Sequence, residues 1–258
     1  MQSPLPPALP GTVAVVTGGS RGIGFEIATA LADLGVSVVI TGRNETRVVA
    51  AAAELSTHGP ACEGVVCDVT SLASVMALAA RLREKYGRVD ILVNNAGIGG
   101  PDSLLHELDP NDWDAIFHTN VRGVYYMLHA VVPLMIAAGA GHIINISSLA
   151  GRNPLPRGAA YSASKWALNG LTYSVAEELR AHNIRVSVVC PGSVDTEFSP
   201  HPGKVRAKVG QASAHVRQID VDAALRRTER GFEAGNRGKD RVFTHSSLRE
   251  KRGSVPSV

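Results

Sequence analysis

Tyr161 and Lys165 are the two residues whose types and spacing best suit catalysis. They lie four residues apart in an Ala-rich stretch, so a helix there places both side chains on one face. A free phenol has a pKa near ~10, and a nearby ammonium group lowers that pKa by favouring the phenolate. The pair therefore predicts a tyrosine that exchanges a proton with an alcohol or a ketone at neutral pH.

Ser148 is expected to join this pair. It lies just beyond the apolar run 143–146, which predicts a strand. Ligands collect at the carboxyl ends of the strands in open α/β sheets, so the serine hydroxyl is expected at the binding edge. A Tyr and a Lys at helical spacing are by themselves more typical of a surface pair. The catalytic interpretation therefore depends on the elements around them.

A glycine-rich turn near the start of the chain is the first of those elements. A β-branched run at 12–17 predicts a strand, the turn GGSRGIG follows at 18–24, and residues 25–34 show helical spacing. Glycines in such a turn permit a tight bend and let a pyrophosphate approach the backbone, while the helix N-terminus faces the phosphates. The strand before and the helix after favour a nucleotide site over a plain loop.

These motifs together resemble the short-chain dehydrogenase/reductase family. Gly18, Gly22 and Gly24 match its TGxxxGxG turn, and Tyr161 and Lys165 match its YxxxK motif. Further matches are the serine at 148, NNAG at 94–97, HTNVRG at 118–123 and PGSVDTEF at 191–198. The resemblance is specific over roughly residues 12–198. It is weak over the remaining residues, where the Gly-rich ending common in the family is missing.

The resemblance implies a catalytic set of Asn120, Ser148, Tyr161 and Lys165 for hydride transfer between a carbonyl and a secondary alcohol. In this set Tyr161 exchanges the proton, and Ser148 hydrogen-bonds the carbonyl oxygen. Lys165 holds the nicotinamide ribose and lowers the pKa of Tyr161, while Asn120 positions a water that relays protons. An Asn in the middle of a helix is intrinsically unfavourable, which favours a specific role for Asn120.

The end of the second strand predicts NADP(H) as the cofactor. The strand covers 36–40, and an NAD enzyme of this kind typically has an acidic residue just after it, where this chain has Arg43 and Asn44. Arg43 and Arg21, which lies inside the glycine turn, suit a 2′-phosphate, and Asn44 offers a further donor. The alternative is that both arginines are only solvated surface charges.

The resemblance extends the cofactor site to residues from most of the motifs. Asp68 and Val69 lie in the run GVVCDVT at 64–70, which resembles the third strand of the family, and are expected to border the adenine. Thr196 is expected to meet the nicotinamide carboxamide. The complete expected set is Gly18, Ser20, Arg21, Gly22, Ile23, Gly24, Arg43, Asn44, Asp68, Val69, Asn95, Ala96, Gly97, Tyr161, Lys165, Pro191, Gly192, Val194 and Thr196.

Length and composition favour one α/β domain. The chain has 258 residues, of which 45% are hydrophobic and only 5% aromatic, a bias typical of helices packed on a buried sheet. The predicted fold is a doubly wound parallel sheet (Rossmann fold) of about seven strands with helices on both faces. Helices are predicted at 45–56, 71–86, 111–138 (broken slightly at Gly123) and 161–182, and further strands at 89–93, 184–190 and 241–245.

No second domain is expected. Four prolines within MQSPLPPALPG predict a disordered leader at 1–11 and not a signal peptide, so the oxidoreductase domain covers 12–258. By the resemblance, residues 196–218 occupy the place of a mobile substrate lid. The three cysteines, Cys62, Cys67 and Cys190, have no metal-binding spacing, so we expect reduced thiols and no metal.

The net charge of +3 is unevenly distributed. Residues 1–198 carry 13 Lys and Arg against 17 Asp and Glu, whereas 199–258 carry 13 against 6. The basic tail lacks interleaved aromatic residues and any nucleic-acid-binding motif, so no nucleic-acid partner is expected. No apolar run reaches the roughly 18 residues of a membrane span. We therefore expect a cytoplasmic enzyme that acts on a small molecule.

Two alternatives to a general carbonyl reductase stay open. Many similar sequences are 3-oxoacyl-[acyl-carrier-protein] reductases, which need basic residues near the site to dock an acidic carrier. The helix end AAGAGH has none, and the next offers only Arg180 and His182. A non-catalytic nucleotide sensor on the same fold would tolerate loss of the catalytic residues, and all are present. Related enzymes pair the helices 111–138 and 161–182 between subunits, so a homo-oligomer, either a tetramer or a dimer, is expected.

Overall fold

Strands and helices alternate along the chain in this computed structural model, which describes residues 9–60, 62–192, 194–195, 198 and 207–208. The strands are Val13–Thr17 (β1), Ser37–Gly42 (β2), Glu63–Val66 (β3), Ile91–Asn94 (β4), Gly141–Ile146 (β5), Ile184–Val189 (β6), Val194–Asp195 (β7) and Ala207–Lys208 (β8). The helices are Gly22–Asp33 (α1), Glu45–Leu55 (α2), Leu72–Tyr86 (α3), Pro110–Phe117 (α4), Gly123–Ala138 (α5) and Ala159–Glu178 (α6). Short 3-10 helices lie at Leu105–Glu107, Leu149–Gly151 and Arg180–His182.

Six of the strands form one parallel sheet in the order β3-β2-β1-β4-β5-β6. The central strands β1 and β4 are buried along their whole length, as expected for a parallel sheet that is covered on both faces. The strand order reverses between β1 and β4, and ligands bind in the crevice at the carboxyl ends of strands at such a point. The predicted doubly wound fold is confirmed.

Two hydrophobic clusters cover the two faces of the sheet. The first contains buried side chains of α1 and α2 packed on strand residues, among them Ile27, Leu31, Ile40, Val48 and Leu55. The second contains buried side chains of α3, α5 and α6, among them Leu78, Leu82, Met127, Val131 and Leu168. Burial of these side chains holds the helices on both faces of the sheet, and the carboxyl edge with its crevice lies between these two layers.

The helices begin and end at residues with clear local preferences. Ser71 caps α3 by accepting a hydrogen bond from the backbone of Ser74, and Asp109 caps α4 just before Pro110. Gly87 ends α3 and Gly139 ends α5, both in the left-handed conformation that glycine adopts without steric cost. Local sequence therefore agrees with the tertiary arrangement.

The long helix predicted at 111–138 is present, with an irregular turn just before Gly123. A π-helical turn at His118–Arg122 joins α4 to α5, and it accounts for the expected break. By length and composition alone, Pro110–Ala138 would suit a membrane span, contrary to the expectation from the sequence. Met127 and Met135 on this helix are buried in the cluster beside the sheet, and a core helix satisfies the same two criteria.

Three expectations lie wholly or partly outside the described residues. The main sheet has six strands in the part of the chain that the structure describes, while the strand expected at 241–245 lies outside it. Residues 1–8 of the expected leader also lie outside. Of the expected lid at 196–218, only Phe198 and the short strand β8 are described, and β8 pairs with β7.

Candidate active site

A cleft of about 640 Å³ lies at the carboxyl edge of the sheet, between the turns that follow β1 and β4. Gly18 and Arg21 line it from the turn after β1, and Asn95 and Gly97 line it from the turn after β4. The order of the strands places these turns side by side, because β1 and β4 are neighbours in the sheet. The predicted location of the ligand site therefore coincides with this cleft.

Ser148, Tyr161 and Lys165 converge at one end of this cleft. Tyr161 and Lys165 lie on α6, and both side chains are almost fully buried. Ser148 follows β5 and accepts a hydrogen bond from the backbone of Ala150 over 3.1 Å. The ammonium group of Lys165 lies 5.7 Å from the centroid of the Tyr161 ring and donates a hydrogen bond to the Ile146 carbonyl oxygen over 2.9 Å.

Burial is the largest influence on the pKa values of Tyr161 and Lys165. Removal from water raises the pKa of Tyr161, and the hydrogen bond with Ser148 opposes that rise only in part. Burial likewise lowers the pKa of Lys165 to about 8. That Lys165 lowers the pKa of Tyr161 therefore stays a prediction, because burial is the largest influence on the phenol in this structure.

Asn120 is fully buried within the π-helical turn. Its Oδ1 accepts a hydrogen bond from the backbone N–H of Ile98 over 2.8 Å, and its Nδ2 donates to the Ile98 carbonyl over 2.9 Å. Nδ2 also donates to Ser164 Oγ over 3.0 Å, so both N–H groups of the amide are used. The side chain thus fixes the loop after β4 to α6, which agrees with a specific role for a mid-helix Asn.

The turns after β1 and β4 are joined by direct hydrogen bonds. Thr17 Oγ1 accepts from the backbone N–H groups of Asn95 and Ala96, each over 3.0 Å. The Asn95 side chain in turn donates to the carbonyl oxygens of Thr17 and Gly18, over 2.9 and 3.1 Å. A Cβ at Gly24 would lie 2.4 Å from Asn95 Nδ2, so only glycine fits there. These contacts account for Asn95 and Ala96 of the NNAG motif.

The first turn of α1 offers a site for phosphate groups. Gly18 and Gly22 adopt positive φ angles of 63° and 57°, which turn the backbone into the helix. The N-cap residue of α1, Arg21, makes no side-chain hydrogen bond to the helix end, in contrast to Asn44 at the start of α2. The backbone N–H groups at the start of α1 can therefore bind the diphosphate of a dinucleotide, and the glycine turn fits that group.

Three arginines line the other end of the cleft. Arg21 and Arg43 lie where the sequence places them, and Arg47 joins them from the first turn of α2. Asn44 also lines the cleft, but its Oδ1 accepts from the backbone N–H of Arg47 over 2.9 Å and so caps α2. Only the amide N–H groups of Asn44 remain to donate to a ligand. Arg47 is not among the residues predicted from the sequence, where an arginine in the first turn of a helix ordinarily indicates a solvated surface.

Asp68 and Val69 lie beside this end of the cleft, after β3. The Asp68 carboxylate accepts from both the backbone N–H and the hydroxyl of Thr70, over 2.9 and 2.8 Å. It thereby closes the turn that leads to α3. Val69 is buried, and a Cβ at Gly123 would lie 2.9 Å from Val69 Cγ2, so the start of α5 packs closely against this turn.

Residues 12–207 match the short chain dehydrogenase family. The chain belongs to this family. A 3beta-hydroxysteroid dehydrogenase of Mediterraneibacter gnavus is 40% identical over 72% of this chain and 67% of its own length. A 3-oxoacyl-[acyl-carrier-protein] reductase of Chlamydia muridarum is 38% identical over 72% of this chain and 75% of its own length. A metagenomic short-chain oxidoreductase solved in complex with NADP has a TM-score of 0.74 at 44% identity, covering 84% of this chain and 92% of that chain.

Most residues predicted for the site of this short-chain dehydrogenase line the cleft. These are Gly18, Ser20, Arg21, Gly22, Ile23, Arg43, Asn44, Asp68, Val69, Asn95, Ala96, Gly97, Ser148, Tyr161, Lys165, Pro191, Gly192 and Val194. Gly24 and Asn120 do not line it and act through packing and hydrogen bonds behind its wall. Thr196 lies outside the described residues.

Several lining residues of this short-chain dehydrogenase were not predicted. Near Ser148 and Tyr161 these are apolar side chains from three segments of the chain, namely Ile98, Leu149, Leu155 and Phe198. These apolar residues belong to no recognisable motif. Only Leu149, which directly follows Ser148 in the sequence, could have been found from its position. No group of three or more His, Cys, Asp or Glu with metal-binding geometry occurs among the residues that the structure describes.

Proposed function

We propose that this short-chain dehydrogenase uses NADP(H) to interconvert a carbonyl compound and a secondary alcohol. The observation that carries the proposal is one cleft with Ser148, Tyr161 and Lys165 at one end and three arginines at the other. The names of the two relatives, a hydroxysteroid dehydrogenase and an oxoacyl reductase, agree with this reaction class. The NADP complex of the metagenomic relative agrees with the cofactor.

The arrangement of the cleft suggests how the cofactor is held. The N–H groups at the start of α1 would bind the diphosphate, and Arg21, Arg43 and Arg47 would bind the 2′-phosphate. Asn95, Ala96, Gly97, Pro191, Gly192 and Val194 would border the nicotinamide half. When bound, NADP(H) supplies the hydride in the reducing direction and accepts it in the oxidising direction.

Tyr161 is the proposed proton donor for reduction. Burial keeps its pKa raised, so the phenol is protonated at neutral pH and can give its proton to a carbonyl oxygen. Ser148, which is hydrogen-bonded to the phenol, would donate to the same oxygen and orient it. Lys165, with its pKa lowered to about 8, still carries its proton at neutral pH and would bind the ribose of the cofactor.

Asn120 is proposed to act through its neighbours. Its side chain spends both N–H groups on Ile98 and Ser164, so it holds the loop that carries Gly97 against α6. A Cβ at Gly97 would lie 3.2 Å from Asn120 Oδ1 and 3.6 Å from Lys165 Nζ, which places this loop directly between the two side chains. If Asn120 positions a relay water, it would do so by accepting a hydrogen bond at its side-chain Oδ1 or at its backbone carbonyl oxygen.

Measurement of NADPH oxidation with a panel of ketones, aldehydes, 3-oxoacyl thioesters and keto sugars tests the proposal. Tyr161→Phe should retain cofactor affinity but lose roughly 10²- to 10⁴-fold in kcat, the usual contribution of a general acid. Tyr173→Phe is the matched control, since Tyr173 lies on the same helix and is 46% exposed. Near-normal turnover by Tyr161→Phe on a good substrate would contradict the mechanism.

Reduction of a 3-oxoacyl group on an acyl carrier protein is the second candidate. The similarity to the Chlamydia muridarum reductase favours it. An acidic carrier needs basic residues near the mouth of the cleft, and Arg157 in this region is already paired with Asp102. Comparison of acetoacetyl carrier protein with acetoacetyl N-acetylcysteamine separates the two candidates. A carrier-dependent gain in kcat/KM of roughly tenfold or more would favour the reductase of carrier-bound substrates.

A homo-oligomer in the cytoplasm is also proposed. Aromatic side chains stand exposed on the two helices expected to pair between subunits, namely Tyr125 (53%) on α5 and Trp166 (54%) and Tyr173 (46%) on α6. Exposed aromatic residues are enriched at contacts between proteins. Light scattering at micromolar concentration should give the mass of a tetramer or a dimer, and a monomer would contradict the proposal.

A further inference from the structure

The cleft changes its chemical character from one end to the other. Its charged lining residues are Arg21, Arg43, Arg47 and Asp68 at the end assigned to the adenosine, together with Lys165. Around Ser148 and Tyr161 the other lining side chains are mostly apolar, namely Ile98, Ala150, Leu149, Leu155, Val194 and Phe198. A substrate carbonyl that reaches the two hydroxyls is therefore surrounded by hydrocarbon.

Two of the apolar side chains adjoin the reactive residues. The ring of Phe198 lies 6.1 Å from the Tyr161 ring, centroid to centroid, at an angle of 48°. Leu149 follows Ser148 directly, and its Cδ1 lies 3.4 Å from the position of a Cβ on Gly192. Leu149 is 47% exposed and Phe198 38%, and exposed apolar side chains in a concave site mark contact with a ligand.

The two arginines of the neighbouring loop do not line this end of the cleft. Arg152 and Arg157 belong to the same loop as Leu155, but neither lines the cleft. Arg157 Nε donates to Asp102 Oδ1 over 3.1 Å, which draws its charge toward the loop after β4. Lys165 is the one cationic side chain lining this end among the residues described, and it is buried and bonded to Ile146. A carboxylate on a substrate bound there would lose its hydration without gaining a partner among the described lining residues.

We infer that the substrate is an uncharged carbonyl compound with a bulky apolar group, such as an aryl or alicyclic ketone. This inference rests on the proposed carbonyl reductase function. Phe198, Leu149 and Leu155 supply the contacts with the apolar group, while Ser148 and Tyr161 bind the carbonyl oxygen. Selectivity against anionic keto acids follows because the described residues lining this end offer no counter-charge except the buried Lys165. Selectivity against small ketones follows from the apolar contacts that these ketones leave unmade.

Three ketones test separately how the charge and the bulk of a substrate affect its reduction. Methyl 4-acetylbenzoate and 4-acetylbenzoate have the same aryl ketone and differ in one negative charge, and 2-butanone lacks the bulk. With NADPH, kcat/KM for the ester should exceed that for the acid and that for 2-butanone by roughly tenfold or more each. Equal or better reduction of the acid, or of 2-butanone, would overturn the inference while leaving the proposed function in place.

Absence of all turnover would count against the proposed function, and a binding measurement then decides the inference separately. Calorimetric titration of the ester and of the acid into the NADP-loaded enzyme should show tighter binding of the ester by roughly tenfold or more. Equal affinity of the two probes, or tighter binding of the acid, would overturn the inference whatever the outcome of the kinetic assay.

Variants of the apolar wall give the second test. Phe198→Ala and Leu155→Ala should each lower kcat/KM for the ester about tenfold, with a smaller loss for 2-butanone and an unchanged KM for NADPH. Leu72→Ala is the matched control, because Leu72 is 42% exposed and lies on α3 outside the cleft. Leu155→Lys should raise the ratio of acid to ester turnover. Unchanged ester kinetics in both alanine variants would overturn the inference.

Discussion

Lys165 Nζ donates a hydrogen bond to the carbonyl oxygen of Ile146 over 2.9 Å, so the ammonium group lies beneath the end of β5. The side chain is 4% exposed, and its burial lowers the pKa to about 8 from the ordinary 10.5. A buried cation with one backbone partner is unfavourable for folding, and its retention indicates a requirement of function.

Replacement of this lysine by methionine should therefore separate stability from activity. The pKa of Lys165 is lower in the folded protein than in the unfolded chain. The loss of folding stability caused by the buried charge is therefore complete below about pH 8, and it disappears as the pH rises toward 10.5. The pKa difference corresponds to a loss of roughly 3 kcal/mol of folding stability. The methionine variant regains this stability, less the contribution of the hydrogen bond to Ile146 that it loses. Lys165→Met should then unfold at higher urea concentration at pH 7, while losing cofactor affinity and most turnover.

The pH dependence supplies the control for this variant. The stability difference between Lys165→Met and the unmodified protein should shrink when urea unfolding is repeated near pH ~9.5, between the folded and unfolded pKa values. Lys85→Met is the comparison, since Lys85 is 50% exposed at the end of α3 and its ion pair with Glu63 favours the folded state. A Lys165→Met protein that is less stable at pH 7 would show that burial of this ammonium group does not destabilise the fold.

Cofactor preference should depend on the arginines at the far end of the cleft. Each charge-assisted hydrogen bond to the 2′-phosphate would favour NADPH roughly tenfold or more before solvent screening. Arg43→Asp should shift the ratio of kcat/KM toward NADH, and Arg47→Ala should lower the preference for NADPH less strongly. Arg83→Ala, an exposed arginine on α3 outside the cleft, is the control. Unchanged preference in Arg43→Asp would show that these arginines are only surface charges.

Acid stability should depend on His142, a buried residue on β5. Burial, with a contribution from the charge of Arg185, lowers the pKa of His142 to about 3. The unfolded chain therefore binds an additional proton between about pH 6.5 and 3, and stability is lost as the pH falls through that range. At pH 5 the loss is roughly 2 kcal/mol. His142→Gln should lose less stability between pH 7 and 5 in urea unfolding.

His106→Gln is the matched control for that experiment, because the His106 side chain is 79% exposed. Its acid sensitivity should equal that of the unmodified protein. His142 Nε2 also contacts Ser187 Oγ over 2.9 Å, so His142→Gln keeps a polar group near that hydroxyl. Parallel acid sensitivity of His142→Gln and the unmodified protein would show that the proton uptake occurs elsewhere.

The ion pair of Arg157 with Asp102 should affect substrate binding more than stability. Arg157 donates to the Asp102 carboxylate over 3.1 Å and to its carbonyl over 2.8 Å, joining the loop of Leu155 to the loop after β4. Both side chains are about half exposed, so Arg157→Ala should cost less than about 1 kcal/mol of stability. Looser loops should raise KM for the ketone a few-fold and leave KM for NADPH unchanged.

Arg157→Gly distinguishes the ion pair from the backbone conformation. Arg157 has a positive φ of 59°, which glycine adopts more readily than arginine or alanine. Both variants remove the ion pair, so a shared rise in KM identifies the pair as the cause. A rise in Arg157→Ala that Arg157→Gly does not show would assign the effect to the backbone instead.

Local patterns were sufficient to predict the architecture and the position of the cleft. The strand, glycine turn and helix around Gly18 follow from short-range turn chemistry, and parallel strands bring their carboxyl ends to one edge. Tyr161 and Lys165 share a helix, so their spacing alone placed them together. The predicted roles of these residues remain predictions that the variants above test.

Features that arise from tertiary packing could not be predicted. The pKa of Tyr161 depends on how completely the folded chain removes the phenol from water, which a spacing of four residues does not reveal. Leu155 and Phe198 come from segments far apart in the sequence and meet only in the folded protein. Arg47 lies in the first turn of a helix, where an arginine ordinarily indicates a solvated surface.

The π-helical turn at His118–Arg122 sets the number of residues that can join α4 to α5. Each residue of an α-helix advances by about 100°, and a π turn accommodates one residue more, so the faces of α4 and α5 are out of phase by about that angle. This offset lets α4 contact α6 while α5 contacts α3. A deletion of one residue here would rotate α4 against α5 by about 100°, which would break the contacts of one helix or the other. This position is therefore expected to tolerate substitutions better than a change in length.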